Sequence, residues 1–476
     1  MSFLSTTVVS ALNNYNSICP IVTKDLVENF GRTGMAYYSA GKNTRSYEAK
    51  EKFIEANATS ILWYGAIPFI KKVFDLTVFK GTKLNPNASL EILKKDNPQS
   101  IEKIQERISK GLLPKTFQNG KNLFTQKTRI ADSSEILGRI AKKASTYKNL
   151  HISRNILAMA IPTILSAFVL PKAIIAFTQR NVDKQHVNCQ LSNGMENDSM
   201  KFPIFKEALK KTSNKKEAGK VRFTGLSDKL LSSAMAGQKS LLPDMVAVDL
   251  GISSSRIYYA NKREKEALNG RISNAPYAAA LEKIIREGGF LYLIYFGGKH
   301  IKNFIDKMTN NALDPKVLED KNFIKELKAN QFTANPLKGM NEEQILDYVD
   351  QNIRNDKNVF VKYAKKMEII KTVKNEKGEV YRNPLIWQDT KQLSEYFETL
   401  SAEAKKLIAG GGSSLEAFVA KKSKIKRAGI YGNLIASSFA VCYILPKIMY
   451  SFRKWYTGSS EEPGIDKVIH TNCSLK

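Results

Sequence analysis

The chain runs to 476 residues, 43% of them hydrophobic and 25% charged, with a formal net charge of +29. That balance excludes wholesale disorder and leaves room for two hydrophobic cores. The charge points to an anionic partner, and four scattered cysteines exclude a disulfide framework in favour of a reducing compartment.

In chain order, the opening stretch MSFLSTTVVSALNNYNSICP carries no cation before Lys24, so no cleaved signal peptide is expected. Landmarks follow at Pro20 in SICP, at Tyr37-Tyr38 and at Glu48-Ala49, and then an apolar run, Ala56–Ile70, closed by Lys71 and Lys72. After Pro86, SLEILKKD and PQSIEKIQERISK read as short polar helices. From Asp132, SSEILGRIAKKASTYKNL places Ile136, Leu137, Ile140, Ala141 and Tyr147 on one face of a basic amphipathic helix. Asp132 with Glu135 forms a capping-box start. This helix feeds a 17-residue uncharged run, Asn155–Pro171, flanked by Arg154 and Lys172. The tail HVNCQL then leads into a Lys-rich polar linker.

Beyond the linker the landmarks return. SLLP with Pro243, Tyr258-Tyr259 and Glu266-Ala267 precede an 11-residue run, Gly288–Gly298. Gly298 aligns with Pro68 and Phe304 with Phe74, both at an offset of 230, and LDP at Pro315 answers LNP at Pro86. Ser413 opens SSLE as Asp132 opens DSSE, while AKK, LPK and a His-x-x-Cys tail recur at offsets of 279, 275 and 284. The chain therefore reads as two tandem, diverged copies of one mainly α-helical module, each with a short and a longer apolar helix. The copies are residues 1–192 and 223–476, joined by a linker at 193–222. Growth of the offset places an insertion of about fifty residues between 316 and 412. Within it, Asn341 caps a helix striped by Ile345, Leu346, Val349 and Ile353. A small β-hairpin is expected near 369–382 around Lys377-Gly378, and a helix from Asp389 to Leu407 ends at Gly410-Gly411-Gly412.

Asn155–Pro171 and Ala428–Pro446 span ~26–29 Å as helices, against ~30 Å of hydrocarbon, and the two shorter runs cannot cross unaided. Lys71, Lys72, Arg154, Lys172, Arg427, Lys447, Arg453 and Lys454 are the expected membrane-interface residues. With both ends of every run basic, the positive-inside rule selects no side. Two geometries explain the symmetry. One is a set of hairpins or re-entrant wedges, kinked or stopped by Pro68, Pro162, Pro171 and Pro446; the other is burial inside a soluble all-α protein. Trp63, Trp387 and Trp455 fit an interfacial belt or ordinary packing.

No phosphate loop, dinucleotide fingerprint, zincin helix, hydrolase elbow or CxxC motif is present, and no enzymatic activity is expected. His186, Cys189, His470 and Cys473 form a zinc ligand set if the two tails meet; the plainer reading is a repeated packing motif. His151 and His300 read as structural. The functional expectation is a non-enzymatic, membrane-associated structural or adaptor protein facing the cytoplasm. Its apolar helices embed, its basic flanks rest on anionic lipid, and its acidic insertion offers a site to a protein partner. One alternative is a small-molecule carrier built from parallel repeats, against which the apolar runs hold no Asp or Glu. The other is a soluble, basic, helical nucleic-acid-binding protein.

Overall fold

The computed structural model describes residues 5–14, 17–39, 45–121, 128–170, 173, 224–267, 275–332 and 334–457. Helices dominate, with two short two-stranded sheets. Helix α1 (Thr6–Asn13) leads to a hairpin of α2 (Cys19–Ser39) and α3 (Arg45–Ile61). A π-turn, Leu62–Ala66, carries α3 into α4 (Ile67–Phe74), and a second, Asp75–Phe79, carries α4 into α5 (Lys80–Thr82). The 15-residue run Ala56–Ile70, too short to cross a bilayer alone, is thus the middle of a continuous helix ~57 Å long.

A head segment follows. SLEILKKD makes only a 3-10 turn, Leu90–Leu93, in which Leu90 and Ile92 are buried and the Leu90 amide donates to the Gln238 side chain (2.8 Å). Helix α6 (Ile101–Ser109) forms as expected from PQSIEKIQERISK, with Ser100 accepting from the Lys103 amide. Strands β1 (Thr116–Lys121) and β2 (Thr128–Asp132) form an antiparallel hairpin not anticipated from the sequence. Asp132 caps α7 (Ser133–Lys142), accepting from the Ser134 and Glu135 amides at 2.8 and 3.1 Å. Glu135 turns to Arg139. Helix α8 (Ala144–Ile164) then continues through a π-turn, Leu165–Val169.

The later part holds α9 (Thr224–Lys239), a hairpin of α10 (Leu242–Ala267) and α11 (Ala275–Leu291), a π-turn at Tyr292–Gly297, and α12 (Gly298–Thr309). Its head segment holds α13 (Pro315–Leu318), α14 (Phe323–Lys328), α15 (Glu342–Asn352) and α16 (Val359–Lys366). Strands β3 (Thr372–Lys374) and β4 (Val380–Arg382) then pair, and α17 (Thr390–Gly411) follows. Asn341 and Gln344 close a capping box on α15, whose Ile345, Leu346, Val349 and Ile353 are all buried. The hairpin turns at Gly378 (φ +82), as expected. Helix α17 continues past Leu407 to Gly411. Ser413 falls in a 3-10 turn, so α18 (Leu415–Phe439) begins without a side-chain cap and Glu416 pairs with Lys328 instead. A π-turn, Ala440–Ile444, joins α18 to α19 (Leu445–Thr457).

None of Pro68, Pro162 and Pro446 stops its helix; Pro171 lies outside the described residues. A proline removes one N–H and crowds the carbonyl four residues back. For Pro68 and Pro446 those carbonyls belong to Tyr64 and Cys442, each inside a π-turn whose i→i+5 bonding has already displaced the ladder.

The long helices pack reciprocally. Helix α2 lies against α18 and the turn Ala440–Ile444, while α10 lies against α8 and the turn Leu165–Val169. Helix α4 follows α8, and α12 follows α18. Close approach at two of these crossings requires glycine. A Cβ on Gly31 would lie 2.5 Å from Cys442 Cβ, and one on Gly251 would lie 2.4 Å from Thr163 Cγ2. Trp63, Ile67, Ala158, Val248, Phe290 and Val441 meet at the centre of the bundle.

Outside the bundle, the two head segments build separate cores, one around Phe79, Ile104, Phe117 and Tyr147, the other around Phe323, Val349, Phe360 and Phe397. They are cross-braced. Gln99 and Gln388 exchange hydrogen bonds (2.7 and 2.9 Å) and Arg107 pairs with Asp347 (3.1 Å); within the second head, buried Arg382 grips Asp350 at 2.7 and 2.8 Å.

Candidate functional site

In the bundle the usual polarity is reversed. Helix α2 buries Lys24, Asp25, Glu28 and Asn29 on one face, each no more than 6% exposed. Spacing of one, three and four residues brings these side chains together on a helix. Helix α10 does the same with Asp249, Ser253 and Arg256, and α11 buries Glu282 and Glu287. The residues turned outward are instead large and apolar: Ile61, Phe69, Phe168, Phe296, Ile435 and Phe439 are each at least half exposed.

The buried polar groups form a seam between α2 and α3 on one side and α10 and α11 on the other. Ser60 donates to Asp25 (2.6 Å) and accepts from Asn29 (2.9 Å). Arg256 bridges Glu287 (3.0 Å) and Glu55 (3.1 Å), joining the two hairpins, and Arg286 supports Glu287 at 2.8 Å. The Tyr295 hydroxyl donates to Asp249 (2.8 Å), and the Trp63 indole donates to the Met245 carbonyl (3.3 Å). A cavity of about 20 Å³ remains among Asp25, Asn29, Ser60, Asp249, Ser253 and Glu287, room for about one water molecule.

Two further buried pairs lie nearer the head. Lys71 is paired with Asp244 and donates to the Gly237 carbonyl (3.2 Å), while Asn155 donates to Asp244 (3.1 Å). Lys426 contacts Asp306 at 2.5 Å, and Asn433 donates to the Gly298 carbonyl at 2.9 Å. At the junction with the head, Glu319 is clamped by Arg427 through two 2.6 Å hydrogen bonds, by Ser423 and by Thr6. The hydrogen bonds from Arg427, and with them those from Ser423 and Thr6, outweigh desolvation and hold the Glu319 carboxyl down at about 2.

The expected interface residues separate into two groups. Lys71, Arg154 and Arg427 are taken by Asp244, Asp75 and Glu319, whereas Lys72, Lys447 and Lys454 are exposed. The Arg453 side chain and Lys172 lie outside the described residues, as do His186, Cys189, His470 and Cys473. Among the described residues no group of three or more His, Cys, Asp or Glu is placed to hold a metal. His151 is buried beside Phe79 and Tyr147 within reach of Gln238 (3.0 Å), and exposed His300 stacks on Tyr292. Trp63 is buried in the bundle and Trp387 sits under Lys239 in the head; Trp455 alone of the three is largely exposed. The acidic face of the insertion meets this same chain: Glu342 contacts Gln99, just before α6, and Glu343 and Asp347 contact Lys103 and Arg107 of α6.

The apolar runs themselves hold none of the seam's carboxylates, which come from neighbouring stretches of mixed composition. The available signal was spacing. Asp25 with Asn29 and Asp249 with Ser253 each sit four apart, beside Leu26 and Leu250. Compared with protein-family models, curated proteins and solved structures, the chain matches none.

Proposed function

We propose that this chain is a membrane-embedded, non-enzymatic structural or adaptor protein, its helical bundle in the bilayer and its head held at the cytoplasmic surface. One observation carries the reading. Two helices, Ala144–Val169 and Leu415–Met449, are long and apolar enough to cross a membrane, yet only 28% and 33% of their most apolar windows are buried. A core helix of a soluble protein would hide most of such a window. Exposed Lys424 and Lys447 lie ~35 Å apart along one of these helices, close to the hydrocarbon thickness with its edges.

The two-copy organisation is part of the proposal. The π-turns starting at Leu62 and Tyr292 are 230 residues apart, and those starting at Leu165 and Ala440 are 275 apart. These are the offsets at which Pro68 aligns with Gly298 and Pro171 with Pro446. The reciprocal packing of α2 and α10 also suits a duplicated unit.

A carrier built from parallel repeats is the second reading, and the polar seam favours it. A plain anchor needs no charge inside, and buried ionisable residues in a membrane bundle mark solute or ion paths. Carbonate washing of membranes tests the shared premise. The protein should stay in the pellet and leave only with detergent; release by carbonate or high salt overturns both membrane readings in favour of a peripheral or nucleic-acid-binding protein.

A further inference from the structure

We infer that anionic phospholipid headgroups bind a collar of lysines where the bundle meets the head, an assignment that rests on the membrane reading above. Four long helical paths enter the head at this level. Phe79 after α4 and Tyr147 of α8 join one head core, and Leu313 after α12 and Val419 of α18 join the other. Along these ends Lys72, Lys80, Lys143, Lys307, Lys421 and Lys424 are exposed. Among the described residues none of the six has a carboxylate within 4 Å, although nearby acids do have cations: Asp75 has Arg154, Asp306 has Lys302 and Lys426, and Glu416 has Lys328. The collar is therefore positive charge left over after the internal pairing is complete.

Its setting selects the ligand. On α4 and the turn after it, Lys72 and Lys80 alternate with exposed Phe69, Val73 and Leu76; on α12, Lys307 lies between exposed Phe304 and Met308. A nucleic-acid backbone or free phosphate satisfies the ammonium groups and leaves those apolar side chains in water. A lipid satisfies both, with its phosphate at the lysines and its chains against the apolar residues, while the lysine stems lie along the same surface. The set differs from the one expected from sequence because Lys71, Arg154 and Arg427 spend their charge on internal carboxylates.

Melting of the full chain in nanodiscs tests this. Phosphatidylglycerol mixed into phosphatidylcholine should raise the melting temperature by several degrees over phosphatidylcholine alone. Changing all six lysines to Gln (Lys72→Gln, Lys80→Gln, Lys143→Gln, Lys307→Gln, Lys421→Gln, Lys424→Gln) should abolish that increment and leave melting in phosphatidylcholine unchanged. A control that changes two exposed lysines of the head, Lys338→Gln and Lys391→Gln, should keep the increment. Equal melting in the two lipids, an increment that survives in the six-site variant, or an equal rise from inorganic phosphate in phosphatidylcholine discs overturns the collar. Failure of the chain to enter either disc overturns the membrane reading itself.

Discussion

Lys71 closes an apolar run and reads as a headgroup anchor, yet it lies 6% exposed against Asp244, which is 173 residues further along the chain. Removing one member of a buried pair leaves an uncompensated charge, so Asp244→Ala should destabilise the protein by about 3–5 kcal/mol. Lys71→Met combined with Asp244→Leu should recover most of that loss, and thermal melting in detergent compares the two. Glu319 provides the pH handle. Its carboxyl falls from an ordinary 4.5 to about 2 on folding, chiefly through Arg427. A depressed folded value stabilises above the unfolded value and is lost as pH falls through the folded one. Glu319→Gln should therefore lower the melting temperature at neutral pH, and the gap from the parent should close between about pH 4.5 and 2. A gap that stays constant over that range would exclude an ionised clamp.

Among the elements, local features were the readable ones. The capped, striped helix at Glu342–Asn352 and the hairpin around Gly378 depend on neighbours within a few residues, and both stand where spacing and turn chemistry put them. Pro68 and Pro446 do not stop their helices, because each follows a π-turn that has already displaced the hydrogen-bond ladder. Likewise, SLEILKKD makes only a 3-10 turn whose Leu90 and Ile92 are buried among residues far away in sequence. Helix crossings were unreadable for the same reason. Gly31 and Gly34 look alike in sequence, but a Cβ on Gly31 collides with Cys442 and one on Gly34 meets nothing within 4 Å. Gly31→Leu should cost about 1–3 kcal/mol or more through overpacking, while Gly34→Leu should be close to neutral. Equal melting of the two variants would refute the contact between α2 and the turn Ala440–Ile444.

At the scale of the whole molecule, an apolar exterior around a charged seam is joined to a head of ordinary polarity. By itself the sequence determined the mainly helical class, the basic character, the apolar runs and the local caps and turns, because each is set by composition or by residues within about two helical turns. Only the tertiary structure decided which charges face inward, which lysines have no carboxylate beside them, and that the acidic insertion meets α6 of its own chain. Those outcomes depend on partners from about thirty to more than two hundred residues apart. A side chain's hydropathy cannot say which neighbour the fold will bring to it, and whether a buried charge is tolerated depends on that neighbour.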